Sequence, residues 1–195
     1  MYLLLLCSLT VAAIAIDRFL LYRRASQGAR ALEADVAAAL RKKKLDEVAP
    51  AVKGKDNMVA HLVQSAVDAR AAGEDVPMTL EAVYGEAAML LRARLNYLST
   101  IVTLAPLLGL LGTISGMIQS FSVFNLQAGQ PMAITGGIGE ALIATATGLL
   151  VAIFALVVHT YFAQRMDTML TLLEKTTNTL LAGFAANDGG CSHAS

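Results

Sequence analysis

Residues 95–164 decide the fold, and they read LNYLSTIVTLAPLLGLLGTISGMIQSFSVFNLQAGQPMAITGGIGEALIATATGLLVAIFALVVHTYFAQ. This stretch contains no Lys or Arg, and its single acid is Glu140. A helix needs about 20 mostly apolar residues to cross a bilayer. We therefore expect a second transmembrane helix at 97–124, a loop at 125–137 and a third transmembrane helix at 138–162.

The composition of the whole chain also favours a membrane protein. The chain has 195 residues, of which 56% are hydrophobic and 15% are charged, whereas soluble domains carry about 25% charged residues. A first transmembrane helix is expected at 1–22, interrupted only by Asp17-Arg18. This segment lacks a basic start and a convincing small-residue cleavage motif, so we expect it to remain as a span and not to be a cleaved signal peptide.

Charge and cysteine content exclude two other classes of protein. The formal net charge is zero and no basic face is concentrated, which excludes nucleic-acid binding as a main function. The two cysteines, Cys7 and Cys191, lie near opposite ends of the chain and cannot staple a secreted disulfide scaffold.

Basic residues near the ends of the spans predict the orientation. The loop at 122–137 has none, whereas basic residues follow the first span, precede the second span and follow the third span. Lys and Arg collect on the cytoplasmic side, so we expect the N-terminus and this loop to be periplasmic and the C-terminus cytoplasmic. The basic flanking residues are Arg18, Arg23, Arg24, Arg92, Arg94 and Arg165.

The cytoplasmic region 23–96 is expected to be helical, because its apolar residues recur at helical and not at strand spacing. Helices are predicted over Ala29–Lys44 and over Asn57–Ala71, the latter with Gly73 as its C-cap. A third helix should start near Pro77 and run unbroken into the second span.

The third span should likewise continue as a helical cytoplasmic extension at 163–186, followed by a Gly/Ser-rich disordered tail at 187–195. The predicted fold is thus an all-α membrane protein with three transmembrane helices. The second and third of these helices extend as long helices into a helical cytoplasmic domain.

Glu140 is the main candidate for chemistry. A carboxylate inside a bilayer is costly and often marks an ion pathway. The alternative is a solvated acid near the outer interface, stabilised by the helix dipole. At 100° per residue, Glu140 and Thr147 share a helical face, whereas Thr145 points well away from Glu140.

The second and third spans carry many small residues. Gly112 and Gly116 form a small-xxx-small pair that allows helices to approach closely, and Pro106 frees a carbonyl one turn back. These residues either pack one helical bundle or serve contacts between subunits. Threonines can bond back to their own helix or line a polar path. The packing candidates are Pro106, Gly109, Gly112, Gly116 and Gly148, and the polar candidates are Thr113 and Thr145.

No pattern typical of an enzyme is present. We find no nucleophile and base pair, no metal-ligand cluster and no phosphate loop, because Gly109-x-x-Gly112 lies inside an apolar span. His159 is expected to be an interfacial histidine, with a proton relay as the alternative. No enzymatic activity, cofactor or metal is therefore predicted.

Two segments carry a family resemblance. Ala105–Ile118, APLLGLLGTISGMI, and Ile138–Leu149, IGEALIATATGL, resemble the MotA/TolQ/ExbB proton channel family, and the ExbB/TolQ branch fits best. Ile16-Asp17-Arg18 at the end of the first span is also similar to that branch. The resemblance implies a homopentamer in the inner membrane of a diderm bacterium.

The same resemblance implies a mechanism and partners. The pentamer would enclose a dimer of an ExbD/TolR-like single-span protein whose membrane aspartate carries the proton. Glu140, Thr113 and Thr145 would line or gate this ion pathway, with Thr147 as a further candidate. Inward proton flow would energise transport across, or maintenance of, the outer membrane through a TonB-like or TolA-like protein.

Two other hypotheses remain open from the residues alone. One is a passive oligomeric membrane scaffold, in which Glu140 is merely interfacial. The other is a flagellar MotA-type stator subunit, which is disfavoured because that branch has four spans and a larger cytoplasmic domain.

Overall fold

The computed structural model describes residues 2–42, 48–52, 54–126 and 131–191 of the chain, and within them every regular element is a helix. Three helical stretches are long and apolar enough to cross a membrane, namely Tyr2–Leu40, Val76–Ser122 and Gly136–Ala186. The predicted class, an all-α membrane protein with three spans, is confirmed. The helices are α1 (Tyr2–Ser26), α2 (Ala29–Arg41), α3 (Val48–Val52), α4 (Met58–Ala72), α5 (Val76–Arg92), α6 (Leu95–Leu126) and α7 (Pro131–Cys191).

Side-chain and glycine caps define the ends of α4 and the start of α5. The Asn57 side chain accepts a 2.8 Å hydrogen bond from the Ala60 amide at the start of α4. Gly73 ends α4 with φ of 73°, a left-handed conformation that glycine adopts without penalty. Asp75 accepts a 3.1 Å bond from the Met78 amide at the start of α5. The predicted C-cap at Gly73 is confirmed.

The prediction of one unbroken helix into the second span is wrong. Helix α5 ends at Arg92 and α6 begins at Leu95, with Arg94 between them at φ of 66°. Leu91, Leu95 and Leu98 are nevertheless all buried. The apolar spacing therefore continues across the two-residue turn, and hydrophobic periodicity gave no sign of the break.

Several helices end elsewhere than the sequence predicts. Helix α2 ends at Arg41, short of the predicted Lys44, and residues 43–47 lie outside the described part. Helix α6 continues to Leu126 and α7 begins at Pro131, so the described residues of the predicted loop 125–137 are helical. Proline is favourable in the first turn of a helix, which accounts for the early start of α7.

The predicted disordered tail also differs from the structure. Helix α7 continues to Cys191, and residues 192–195 lie outside the described part. Two of the tail residues are glycines, which lower helix propensity but do not forbid the helical conformation.

The chain divides into two compact units. The first, which we call the span unit, comprises residues 1–18 and 94–163. Its buried side chains come from α1, α6 and α7, whereas many large apolar side chains of the same helices stay exposed, as expected of surfaces that face lipid or other chains. Buried members include Val11, Leu98, Ala105, Ala141, Ala155 and Phe162.

The second unit comprises residues 19–93 and 164–195 and packs short helices around its own apolar core. The Lys175 ammonium lies 3.2 Å from the buried Glu33 carboxylate, which joins α7 to α2. The Arg70 guanidinium lies 4.7 Å from the centre of the Phe184 ring, a cation–π contact between α4 and α7. Core residues include Leu32, Leu62, Leu80, Leu173 and Leu180.

Candidate ion pathway

Helices α6 and α7 touch along a line of glycine and alanine. A Cβ added at Gly112 would lie 2.8 Å from the Cβ of Ala144, and one at Gly116 would lie 3.0 Å from the Cβ of Ala141. The first distance is shorter than two carbon atoms tolerate, and the second is tighter than nearly all carbon–carbon contacts of this kind. A larger residue at either position would therefore push the two helices apart.

The backbones of α6 and α7 come close together around Gly109 and Gly148. A Cβ at Gly148 would lie 2.6 Å from the carbonyl oxygen of Ala105 and 3.0 Å from the Cα of Gly109. A Cβ at Gly109 would lie 3.1 Å from the Cα of Thr145. Backbone thus meets backbone here, which is the role of small residues in packed membrane helices.

Thr145 connects the two helices at this point. Its hydroxyl donates a 3.0 Å hydrogen bond to the carbonyl oxygen of Gly109, and the side chain is half-buried. The sequence left open whether this hydroxyl bonds to its own helix or lines a polar path. The structure shows a third arrangement, a bond across to the neighbouring helix.

Thr113 and Thr147 behave differently from Thr145. The Thr113 hydroxyl donates to the Leu110 carbonyl at 2.7 Å, and the Thr147 hydroxyl donates to the Ile143 carbonyl at 2.7 Å. Both side chains are half-buried and bond within their own helices. Each hydroxyl oxygen keeps lone pairs that can accept a further bond.

Glu140 lies in α7 with an exposed side chain, whereas the next residue, Ala141, is buried against α6. Among the described residues, no side chain forms an ion pair with Glu140. Thr145, in contrast, bonds to Gly109 on α6. The structure thus does not bring Glu140 and Thr145 together, in line with the helical phase of the two residues. Its carboxylate is available to groups outside the chain.

Pro106 lies inside α6, and the helix continues past it. Proline has no amide hydrogen, so the carbonyl one turn earlier loses its helical partner. Pro106 itself is half-buried and follows Ala105, which is fully buried where Gly148 approaches. The kink-prone turn of α6 therefore coincides with a close backbone contact to α7.

His159 is half-buried in α7 and joins no metal site. Within the described part of the chain, no group of three or more His, Cys, Asp or Glu side chains could hold a metal ion. Within the described residues, the structure thus adds no metal-binding cluster to the candidate pathway residues on α6 and α7.

One charged cluster was not foreseen from the sequence. The Asp17 carboxylate lies 2.8 Å from Arg94 Nη1 and 3.6 Å from Arg18 Nε, and all three residues belong to the span unit. The Arg18 side chain is only 4% exposed. The sequence showed charges at the ends of two spans, but not that residues so far apart would pair.

Comparisons with known proteins show the family of the chain. A family model described as the MotA/TolQ/ExbB proton channel family matches residues 51–175, more than half of the chain. The chain belongs to the MotA/TolQ/ExbB proton channel family. Its relatives named ExbB and TolQ support the ExbB/TolQ branch that the sequence resemblance predicted.

Three relatives illustrate the match. Biopolymer transport protein ExbB-like 1 of Synechocystis sp. is 50% identical over 78 residues, which cover 36% of this chain and 31% of that protein. The Tol-Pal system protein TolQ of Pseudomonas aeruginosa is 33% identical over 55% of this chain and 47% of its own length. Biopolymer transport protein ExbB of Salmonella typhimurium is 39% identical over 37% of this chain and 30% of its own length. The chain thus matches less than half of the length of each relative.

Proposed function

We propose that this chain is an inner-membrane proton-channel subunit of the ExbB/TolQ type. It couples the proton motive force to energised transport across, or maintenance of, the outer membrane. The observation that carries the proposal is the family match over residues 51–175, which includes all of α6 and the candidate residues Glu140, Thr145 and Thr147.

The geometry of the candidate residues supports an ion pathway formed with other chains. Glu140 presents an exposed carboxylate from an apolar helix, a costly arrangement unless a polar partner or cavity faces it. Large apolar side chains on α6 and α7 are exposed as well, among them Leu107 and Leu142. We therefore propose a homopentamer in which these surfaces meet neighbouring copies, lipid and a central partner.

The proposed partner is an ExbD/TolR-like single-span protein, and the coupling ion is the proton. A TonB-like or TolA-like protein then passes the work to the outer membrane. In this proposal Glu140, Thr113 and Thr145 line or gate the pathway, and Thr147 is a further candidate. The chain needs no cofactor or metal and has no enzymatic activity.

The orientation is part of the proposal. The N-terminus and the segment between α6 and α7 lie in the periplasm, and the C-terminus lies in the cytoplasm. The absence of Lys and Arg from residues 122–137 supports this orientation.

A passive membrane scaffold is the second candidate function. The observation in its favour is that Gly109, Gly112, Gly116 and Gly148 contact atoms of their own chain, so the small residues already have a packing role. A scaffold of this kind would not need the carboxylate of Glu140. The two functions therefore differ in the effect of replacing that residue.

Complementation of a mutant strain that lacks the gene tests the proposal. Glu140→Ala should abolish complementation, while expression and co-purification with the single-span partner remain close to those of the parent. Thr113→Val should also impair it, because the substitution removes a hydroxyl at nearly constant volume. Thr103→Val is the matched control, since its hydroxyl donates to the carbonyl three residues back in α6, as that of Thr113 does, and Thr103 is not a candidate for the pathway. Full complementation by both Glu140→Ala and Thr113→Val would favour the scaffold.

A further inference from the structure

Arg94 has an unusual backbone conformation. Among the described residues, it is the one residue other than glycine with a positive φ, 66°. Its carbonyl accepts the Leu98 amide at 3.4 Å, so it occupies the entry to α6. A left-handed backbone is unfavourable for residues with a Cβ and normally calls for glycine.

The charge of Arg94 is also unfavourable at this place. The N-terminal end of a helix carries a partial positive charge and favours acids over bases. Residue 94 therefore breaks two local preferences at once, one of backbone and one of charge. A residue that breaks local rules in this way points to a role for its side chain.

Asp17 is the partner of the Arg94 side chain. Its Oδ2 atom lies 2.8 Å from Arg94 Nη1, and the same oxygen lies 3.6 Å from Arg18 Nε. Arg18 is almost fully buried in the span unit. The Arg94 and Asp17 side chains are 53% and 41% exposed, so their ion pair alone contributes modestly. The same carboxylate oxygen also lies beside the buried cation of Arg18 at the end of an apolar span, which distinguishes it from an isolated surface acid.

We propose that Arg94 and Asp17 are positioning residues for the second span. Their ion pair ties the start of α6 to α1 within the span unit and so fixes the rotation of α6 about its own axis. That rotation decides where Thr113 points and which face of α6 meets Gly148 on α7. The functional part of this proposal rests on the proposed proton channel, because the orientation of Thr113 matters only if α6 lines the pathway.

Three substitutions separate the charge of residue 94 from its backbone. Arg94→Gly keeps the left-handed turn and removes the ion pair. Arg94→Lys keeps a cation with a Cβ at the same place. Asp17→Asn removes the negative partner at nearly constant volume. If residue 94 served only to make the turn, Arg94→Gly would be neutral or favourable.

Hydrogen exchange of the full-length chain in lipid nanodiscs measures directly whether the ion pair between Arg94 and Asp17 holds the start of α6 in place. In Arg94→Gly and Asp17→Asn, amides 98–101 in the first turns of α6 should exchange roughly threefold faster, because the start of the helix opens locally. Arg94→Lys should exchange like the parent. Glu140→Ala is the control and should leave these amides unchanged. Parental exchange in Arg94→Gly, or fast exchange in Arg94→Lys, would overturn the proposed tie.

Complementation then tests the consequence of the tie. Arg94→Gly and Asp17→Asn should lose complementation and Arg94→Lys should retain it, while Arg92→Gln shows the effect of removing a charge from the same flank. Full complementation by Arg94→Gly would contradict the positioning role. If Glu140→Ala complements while the exchange results hold, the tie between Arg94 and Asp17 stands and the proton-channel function fails.

Discussion

Glu140 and Thr145 lie on the same helix and have different surroundings. The Thr145 hydroxyl is already bonded to the Gly109 carbonyl, whereas the Glu140 carboxylate is exposed. Thr145 therefore has a structural role in the single chain, whatever it does in an assembly. Glu140 forms no ion pair within the described residues. Replacing Glu140 therefore tests function with less effect on the fold than replacing Thr145.

The bond made by Thr145 should contribute measurably to stability. Thr145→Val removes it at nearly constant volume, and we expect a loss of about 1 kcal/mol, within the range found for hydrogen bonds between membrane helices. Thr145→Ser should retain most of the stability because it keeps the hydroxyl. Thermal unfolding in detergent measures the difference. Thr147→Val, whose hydroxyl bonds within α7, should unfold like the parent. Equal melting temperatures for Thr145→Val and the parent would show that the bond contributes nothing.

Single residues were the least predictable part of the molecule. The sequence identified Thr113, Thr145 and Glu140 as candidates but could not choose among the partners of each hydroxyl. The pair of Asp17 and Arg94 was missed, because an ion pair between distant positions depends on how the helices pack and leaves no local pattern.

At the scale of helices, the contact between α6 and α7 depends on glycines and alanines, whose small size lets the two helices approach closely. Gly112 faces Ala144, Gly116 faces Ala141, and Gly148 faces the backbone of α6. The sequence predicted close packing from the spacing of these residues but could not say whether the partner helix belonged to the same chain. The contacts within the chain now assign a packing role inside one subunit.

Gly148→Ala should destabilise this contact. The added Cβ would lie 2.6 Å from the Ala105 carbonyl oxygen, so the helices must move apart, and overpacking of this kind costs about 1–3 kcal/mol. Gly139→Ala is the matched control on the same helix, because nothing lies within 4 Å of its added Cβ. Thermal unfolding of both variants in detergent should show a lower Tm for Gly148→Ala alone. Identical Tm values would mean that α6 and α7 do not approach this closely.

The break between α5 and α6 shows where helix prediction fails. Apolar residues keep helical spacing from Leu91 to Leu98, and no glycine or proline marks the turn. The left-handed conformation is carried by an arginine, which local propensity would not choose. The spans themselves were predictable because about 20 apolar residues in a row are a strong signal.

At the scale of the whole molecule, the distribution of Lys and Arg predicts the orientation. An alkaline phosphatase fused within residues 122–137 should be active, because the enzyme works in the periplasm, and one fused near residue 60 should be inactive. The reason is that basic residues lie after the first span, before the second span and after the third span, and hold those three ends in the cytoplasm. Activity in the opposite pattern would reverse the proposed orientation.

Proton uptake by liposomes that contain the co-purified complex of this chain and its single-span partner tests the central claim most directly. Under an imposed membrane potential, the parent complex should take up protons, and the complex with Glu140→Gln should take up roughly tenfold less, equivalent to about 1.4 kcal/mol. The Thr103→Val complex, which loses a hydroxyl bonded within α6, should conduct like the parent. Undiminished uptake by the Glu140→Gln complex, or no uptake by an intact parent complex, would contradict a proton pathway through Glu140.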